Sequence, residues 1–142
     1  MKLKLWIVIL ITSILLINCG KNEIKEINLE NPIFKASGNS PNWKLEIGKD
    51  GDIHFYSNTE LNKIIAPNSE KVETTNVAVI TYNAKTESAH IKVEIFRKQC
   101  IDAKSNRETK YEVRIEAKRS SDKELKIFKG CGEFYADKKI GG

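Results

Sequence analysis

A period-two alternation of apolar and charged residues runs through much of this chain and limits the folds open to it. The clearest case is the stretch from Tyr111 to Ala117, where Tyr, Val, Ile and Ala alternate with Glu, Arg and Glu. Successive side chains of a β-strand point to opposite faces, so such a stretch predicts one buried face and one solvated face. One-sided burial is typical of antiparallel sheets.

Further segments repeat this pattern and are separated by turn residues. Trp43–Ile47 alternates up to the turn Gly48–Asp52, and Ile53 and Phe55 continue beyond it, which predicts a β-hairpin. The remaining predicted pieces are a strand at Ile91–Ile95, a β-branched run at Val77–Tyr82 suited to burial on both faces, a strand carrying Leu125 and Ile127 after the turn Ser120–Asp122, and a helical turn or loop at Thr59–Ile65. Seven or eight strands of this kind predict an all-β fold, a small antiparallel β-barrel or sandwich.

The first nineteen residues have a different character. Lys2 and Lys4 precede an uncharged apolar run over residues 5–17, the pattern of a secretory signal peptide, and the run is too short to cross a bilayer comfortably. The sequence Leu-Ile-Asn-Cys-Gly that ends at Gly20 resembles the lipobox of bacterial lipoproteins, whose cysteine receives a diacylglyceryl group and becomes the mature N-terminus. Asn18 stands where that box usually has a small residue. The resemblance implies a signal peptide over 1–18 and lipidation at Cys19.

This reading predicts a lipid-anchored protein of the bacterial cell envelope, with the membrane as its partner through the N-terminal lipid. Gly20 is not the Asp that retains many such lipoproteins at the inner membrane, so the resemblance favours the outer membrane. The alternatives are an uncleaved N-terminal membrane helix and a plain signal peptide with an incidental cysteine. After cleavage, residues 19–32 form a polar tether and residues 33–142 one β domain.

Charge and cysteine content limit which partners and which cysteine chemistry the sequence predicts. Without Lys2 and Lys4 the chain keeps 22 basic and 19 acidic residues, and no block of like charges appears, so no nucleic-acid partner is expected. With Cys19 assigned to lipid, Cys100 and Cys131 remain as a pair in a compartment where disulfides persist. A metal or redox pair is the alternative, but the chain has no C-x-x-C and no histidine at ligand spacing. A Cys100–Cys131 disulfide is therefore predicted.

No catalytic constellation emerges from the sequence. The only histidines, His54 and His90, each fall in or beside a strand pattern, and the carboxylates alternate with lysines as on solvated faces. Asp50-Gly51-Asp52 resembles part of a calcium loop but lacks its other ligand positions, and is better interpreted as a hairpin turn. We therefore predict a non-enzymatic protein with no catalytic residues, no metal and no cofactor.

Three motifs stand out: the opening from Phe34 to Ile47, which contains Gly38-Asn39-Ser40-Pro41-Asn42-Trp43, then Cys100-Ile101-Asp102, and Gly130-Cys131-Gly132. Together they resemble a family of uncharacterised bacterial lipoprotein domains that open with F-x-A-x-G-N-x-P-x-W-x-L-x-I and later carry C-x-D and G-C-G. This chain departs from the family at Ser40, often acidic there, and at Lys104-Ser105-Asn106, where a Met-Ser-Gly stretch is common. The resemblance implies a β fold, a disulfide and an envelope location, often beside META-type domains, and names no ligand.

Three functional hypotheses follow. The first is a lipid-anchored, non-enzymatic binding or structural domain that contacts an envelope protein or small-molecule ligand through Asn39, Asn42, Trp43 and Asp102. The second is a periplasmic lysozyme inhibitor, a small disulfide-bearing β-barrel that inserts a loop into the enzyme, although the characteristic inhibitory loop is not evident at residues 102–106. The third, a hydrolase or metal-dependent enzyme, requires His54 and His90 to converge on a carboxylate.

Overall fold

The computed structural model describes residues 29–135. The predicted signal peptide, the predicted lipidation site Cys19 and most of the predicted tether lie outside the described residues, as do residues 136–142. Within the described part, no helix is long and apolar enough to cross a membrane.

The described residues are nearly all β-structure, as predicted. The strands are β1 (Phe34–Asn39), β2 (Asn42–Ile47), β3 (Ile53–Ser57), β4 (Lys63–Ala66), β5 (Glu70–Thr74), β6 (Val79–Lys85), β7 (Ala89–Phe96), β8 (Cys100–Ile101), β9 (Glu108–Thr109), β10 (Tyr111–Arg119) and β11 (Lys126–Phe134), with a 3-10 turn at Thr75–Val77.

Nine of these strands form one antiparallel sheet in the order β4-β3-β2-β1-β11-β10-β7-β6-β5, which curls into a half-barrel. The two short strands β8 and β9 form a separate hairpin. Chain neighbours mostly pair in space, while β1 pairs with β11 and so joins the two ends of the domain at the centre of the sheet. The predicted antiparallel all-β class and its disulfide are confirmed.

The core lies on the inner face of the curled sheet and follows the alternation seen in the sequence. On β10, Val113 and Ile115 are fully buried opposite Ile95 and Val93 of β7. Aromatic rings continue the core across the centre of the sheet, with the rings of Phe55 and Phe128 at 5.0 Å between centroids. Each large apolar side chain buried in this way stabilises the fold by roughly 1.5–3 kcal/mol.

A guanidinium group links two parts of the fold that are not neighbours in the sheet. Nη2 of Arg119, at the end of β10, donates hydrogen bonds to the carbonyl oxygens of Leu61 and Lys63, both at 2.6 Å. Strands β10 and β4 are not neighbours in the sheet, so these two bonds connect parts of the fold that strand pairing leaves apart. A planar group with several fixed donors is suited to such a double contact with backbone carbonyls.

The structure differs from the sequence expectations on the last strand. Leu125 and Ile127 are 48% and 52% exposed, while Phe128 is buried. The inner face of β11 is carried by Phe128 and Phe134, with Gly130 and Gly132 between them. Glycines contribute no apolar side chain to the pattern, so the face that packs inward could not be assigned from residues 125–134.

Three other segments also differ from expectation. Of Thr59–Ile65, expected to be a helical turn or loop, only the part up to Asn62 is a turn, and Lys63–Ile65 belong to β4. Val77 lies in the 3-10 turn and is 66% exposed, and β6 begins only at Val79, with its best-buried residues, Tyr82 and Ala84, on one face. β5 had no counterpart in the sequence analysis because all five of its residues are exposed. Residues 29–135 form eleven strands rather than seven or eight, because β4, β8 and β9 are short and β5 is exposed throughout.

Candidate functional site

The predicted disulfide fastens the β8–β9 hairpin to the outer face of the sheet, the face opposite the core. Cys100 in β8 is bonded to Cys131 in β11, with a Cα–Cα distance of 5.5 Å. Cys131 stands directly opposite Ser37 of β1, whose side chain also belongs to the outer face. The hairpin is thereby held over the central strands instead of extending into solvent.

A second tie joins the hairpin to the turn between β1 and β2. Nδ2 of Asn39 donates a hydrogen bond to Oδ2 of Asp102 at 3.0 Å. Oδ1 of the same carboxylate accepts the backbone N–H groups of Lys104 and Ser105 at 3.0 and 2.7 Å, and the Ser105 hydroxyl at 2.9 Å. Asp102 therefore fixes the tip of the hairpin and its position over the sheet, and the structure brings these two sequence-predicted residues into direct contact.

These hydrogen bonds also set the charge state of Asp102. Its pKa is lowered from the ordinary 3.8, above all by the hydrogen bonds from Ser105 and further by those from Asn39 and Lys104, because all of them favour the ionised carboxylate. Asp102 thus stays negatively charged at neutral pH and serves as an acceptor. This assignment makes it a residue that positions the loop.

A third tie is an ion pair between Arg107, at the end of the loop, and Glu133 of β11. Together the disulfide, the Asn39–Asp102 hydrogen bond and this ion pair hold the hairpin along its length. The loop residues 103–107 are exposed in this arrangement. The hairpin is therefore an exposed but multiply anchored element.

The space between the hairpin and the sheet is a cleft of about 540 Å³, which we call the hairpin cleft. Its walls and floor are Lys35, Ala36, Ser37, Asn39, Lys44, Leu45, Glu46, Tyr56, Asp102, Lys104, Ser105, Arg107, Thr109, Cys131, Gly132, Glu133 and Tyr135. The volume falls within the range of small-molecule sites, about 300–1,000 Å³. Most of its lining side chains are polar or charged.

Ion pairs order the floor of the hairpin cleft. Strand register sets Lys35 between Glu46 and Glu133 on the outer face. Nζ of Lys35 lies 2.9 Å from Oε1 of Glu46, and Oε2 of Glu46 accepts the backbone N–H of Leu29 at 2.8 Å. The pKa of Lys35 is raised, first by its hydrogen bond to Glu46, and its ammonium also lies 5.4 Å from the centre of the Tyr135 ring.

The other two predicted contact residues lie apart from this cleft. Trp43 is 3% exposed and its ring belongs to the core, where Nε1 donates to the carbonyl oxygen of Lys129 at 3.2 Å. Asn42 is exposed at the start of β2, and its carbonyl oxygen accepts the N–H of Asn58 at 3.0 Å. The structure thus brings Asn39 and Asp102 together at the cleft and gives Trp43 a place in the packing of the domain.

The glycines of the Gly130-Cys131-Gly132 motif accommodate aromatic rings. They face the side of the sheet opposite the disulfide. A Cβ added at Gly130 would lie 2.6 Å from Cζ2 of Trp43, and one at Gly132 would collide with the ring of Phe34. Successive residues of a strand alternate faces, so the two neighbours of an outward cysteine point inward.

The described residues do not assemble a metal centre from histidine, cysteine and carboxylate groups. His54 on β3 and His90 on β7 are separated by four strands in the sheet, and both belong to the outer face. Nε2 of His90 lies 2.9 Å from Oδ1 of Asn83. Within residues 29–135 the two histidines therefore do not converge on a carboxylate, which the enzyme hypothesis required.

Comparison of the chain with protein-family models, with curated proteins and with solved structures finds no match. The site is therefore interpreted from its own geometry. Sequence reasoning missed Lys35, Lys104 and Arg107 as site residues, because they belong to segments that only the strand register and the disulfide bring together. The C-x-D spacing was the one available signal for the hairpin, and it located Asp102.

Proposed function

We propose that this chain is a lipid-anchored protein of the bacterial cell envelope whose β domain is a non-enzymatic binding domain with the hairpin cleft as its ligand site. The single observation that carries the binding role is the β8–β9 hairpin, held over the sheet by a disulfide, a hydrogen bond and an ion pair. Those three ties preform a cleft of small-molecule size. A preformed site loses less entropy on binding than one that must be ordered by its ligand.

The anchoring half of the proposal is supported by the sequence. A basic start, an apolar run too short for a permanent span and a cysteine directly after it agree with lipidation at Cys19. Two or three acyl chains anchor a protein stably, whereas one gives only marginal binding. Metabolic labelling with a palmitate analogue is expected to mark the wild-type chain and to be lost in Cys19→Ser. Labelling that persists in Cys19→Ser would remove the anchor from the proposal.

The binding half is tested by a substitution that fills the cleft without touching the core. Ser37 is exposed on the cleft floor beside the disulfide, so Ser37→Trp introduces a large side chain there. Ile127→Trp is the matched control, because Ile127 is 52% exposed on the same outer face outside the cleft. The acylated protein is extracted from its own envelope in mild detergent. Native mass spectrometry then detects any bound molecule as added mass.

We expect the added mass in the wild type and in Ile127→Trp and its loss in Ser37→Trp. Retention of the same mass in Ser37→Trp would place the ligand elsewhere, and absence of added mass from all three proteins would count against a binding role. Melting curves of the three proteins establish that each is folded before the masses are compared.

The lysozyme-inhibitor hypothesis keeps one supporting observation. Residues 103–107 form an exposed loop that Asp102 holds in one conformation, which is the kind of element that an inhibitor inserts into an enzyme cleft. A turbidity assay with the purified protein and several lysozymes tests it. Inhibition that is lost in Asp102→Ala and kept in Ile127→Trp would favour this function over small-ligand binding, and absence of inhibition would remove it.

A further inference from the structure

The distribution of hydrogen-bond donors and acceptors in the hairpin cleft indicates what its ligand must be. The cleft is lined by four cationic side chains, those of Lys35, Lys44, Lys104 and Arg107, and by three carboxylates, those of Glu46, Asp102 and Glu133. The formal excess of one positive charge is small. The decisive feature is which of these groups already have partners within the protein.

The carboxylates of the cleft already accept hydrogen bonds from the protein. Both oxygens of Glu46 are engaged, one by Lys35 and one by the N–H of Leu29. Both oxygens of Asp102 are engaged, by Asn39 and by the loop residues 104 and 105. Glu133 is paired with Arg107. The acidic side chains therefore offer a ligand few acceptor positions.

The cations on the hairpin side keep donors available. The Lys104 ammonium has no hydrogen-bond or ion-pair partner within residues 29–135 and is exposed at the cleft. Arg107 has five N–H donors and engages Glu133 through Nη2. Its side chain is 56% exposed, so the other edges of the guanidinium group remain accessible. Ser37 adds a hydroxyl group to the same cleft, whereas the Thr109 hydroxyl already donates to the carbonyl oxygens of Cys100 and Tyr111.

We propose that the hairpin cleft binds a small ligand through a phosphate or carboxylate group, which Lys104 and Arg107 contact. Such oxyanions accept charge-assisted hydrogen bonds from ammonium and guanidinium groups. A cationic ligand would face the Lys104 ammonium and the Arg107 guanidinium group while the carboxylates are already engaged, and a neutral polyol would bring no charge to these two cations. This inference rests on the proposed binding function and adds the chemical class of the ligand.

The test uses the full acylated chain, ¹⁵N-labelled and held in a non-ionic detergent, at constant ionic strength. The probes are inorganic phosphate, glycerol 3-phosphate and citrate, each titrated against sodium chloride as reference. We expect saturable amide shifts at Ser37, Lys104, Ser105 and Thr109. The double variant Lys104→Gln/Arg107→Gln should bind the best probe more weakly by at least about tenfold, because both charge-assisted contacts are lost.

Lys129→Gln is the control for removal of a positive charge, because Lys129 is exposed on β11 and does not line the cleft. It should leave the affinity unchanged. Unperturbed amide signals from β7 and β10 show that each variant is folded. Shifts that do not saturate, or that saturate equally in the double variant, would overturn the proposal.

Two versions of the experiment distinguish a soluble ligand from a lipid headgroup as the source of the phosphate group. In nanodiscs of phosphatidylcholine alone, a soluble ligand site responds to added glycerol 3-phosphate. In nanodiscs that contain phosphatidylglycerol, the same amides shift without any added probe if a lipid headgroup is the source. Either pattern supports an oxyanion site. If the co-purifying molecule lost in Ser37→Trp is neutral or cationic, the oxyanion inference fails while the proposed binding function stands.

Discussion

Asn39 and Asp102 lie 63 residues apart in the chain and meet through one hydrogen bond at the rim of the hairpin cleft. The bond joins the turn between β1 and β2 to the tip of the β8–β9 hairpin. Asp102 is also the acceptor around which the loop is built, so one carboxylate fixes both the shape of the loop and its distance from the sheet. The geometry of the cleft therefore depends on the ionised form of Asp102.

The first prediction concerns the pH at which this arrangement is lost. The pKa of Asp102 is lowered in the folded protein, so its contribution to stability is present above the ordinary value of 3.8 and disappears as the pH falls through the lowered pKa. The amide shift of Ser105, followed by NMR, should titrate with a midpoint below 3.8. In Asn39→Ala the midpoint should rise, because one hydrogen bond that favours the carboxylate is gone. A wild-type midpoint at or above 3.8 would contradict this description.

The second prediction concerns the close approach of Trp43 to Gly130. A methyl group at position 130 would collide with the carbonyl oxygen of Ser37 and the Trp43 ring, so Gly130→Ala forces the strands to move. We expect a loss of about 1–3 kcal/mol in the free energy of unfolding, the usual cost of overpacking. Urea denaturation measures it. Gly48→Ala is the control, because its new methyl group meets its nearest neighbour at an ordinary 3.5 Å. Equal losses in the two variants would refute the packing argument.

The third prediction separates Trp43 from Asn42, its neighbour in sequence. Trp43→Ala removes a buried indole from the core and should cost about 3–5 kcal/mol, enough to unfold much of the protein. Asn42→Ala alters an exposed side chain and should leave the melting temperature unchanged. Thermal denaturation followed by circular dichroism distinguishes them. Comparable destabilisation by both substitutions would show that this division of roles is incorrect.

The fourth prediction concerns the hydrogen bonds that link Arg119 of β10 to the start of β4. Arg119→Lys keeps the charge but replaces the guanidinium group that reaches both Leu61 and Lys63. A loss of about 1.5–3 kcal/mol in the free energy of unfolding is expected, the worth of one hydrogen bond to a charged group. Hydrogen exchange should accelerate selectively in β4. Arg97→Lys, at an exposed arginine, is the matched control. If hydrogen exchange in β4 were accelerated to the same extent in Arg97→Lys, the result would argue against the link made by Arg119.

The sequence predicted those strands whose burial is one-sided and apolar. β2, β3, β7 and β10 follow from their alternation, and the hairpin turn at residues 48–52 follows from its glycines and aspartates. β5 could not be found in this way, because Glu70–Thr74 is exposed on both faces and is a strand only through its pairing with β6. The inner face of β11 was likewise hidden, since two of its positions are glycine.

The site was predictable only in part, for a related reason. Asp102 and the disulfide were accessible from motif spacing and from counting cysteines. Lys104 and Arg107 looked like any other exposed cations, because a local sequence does not contain the partner segment that the disulfide brings opposite them. Which carboxylates are already hydrogen-bonded and which cations keep free donors can be seen only in the folded structure, because the partners are distant in the chain.

The most direct test of the hairpin cleft as the binding site is photocrosslinking in the intact envelope. A photoreactive amino acid is placed at Ser105, which lines the cleft but is not one of the two proposed ligand contacts, and in a separate chain at Ile127, exposed on the same outer face outside it. Illumination followed by mass spectrometry of the purified protein should reveal a discrete adduct from position 105 and none from position 127. Equal labelling at both positions, or no adduct at 105, would contradict the proposal that the hairpin cleft holds the ligand.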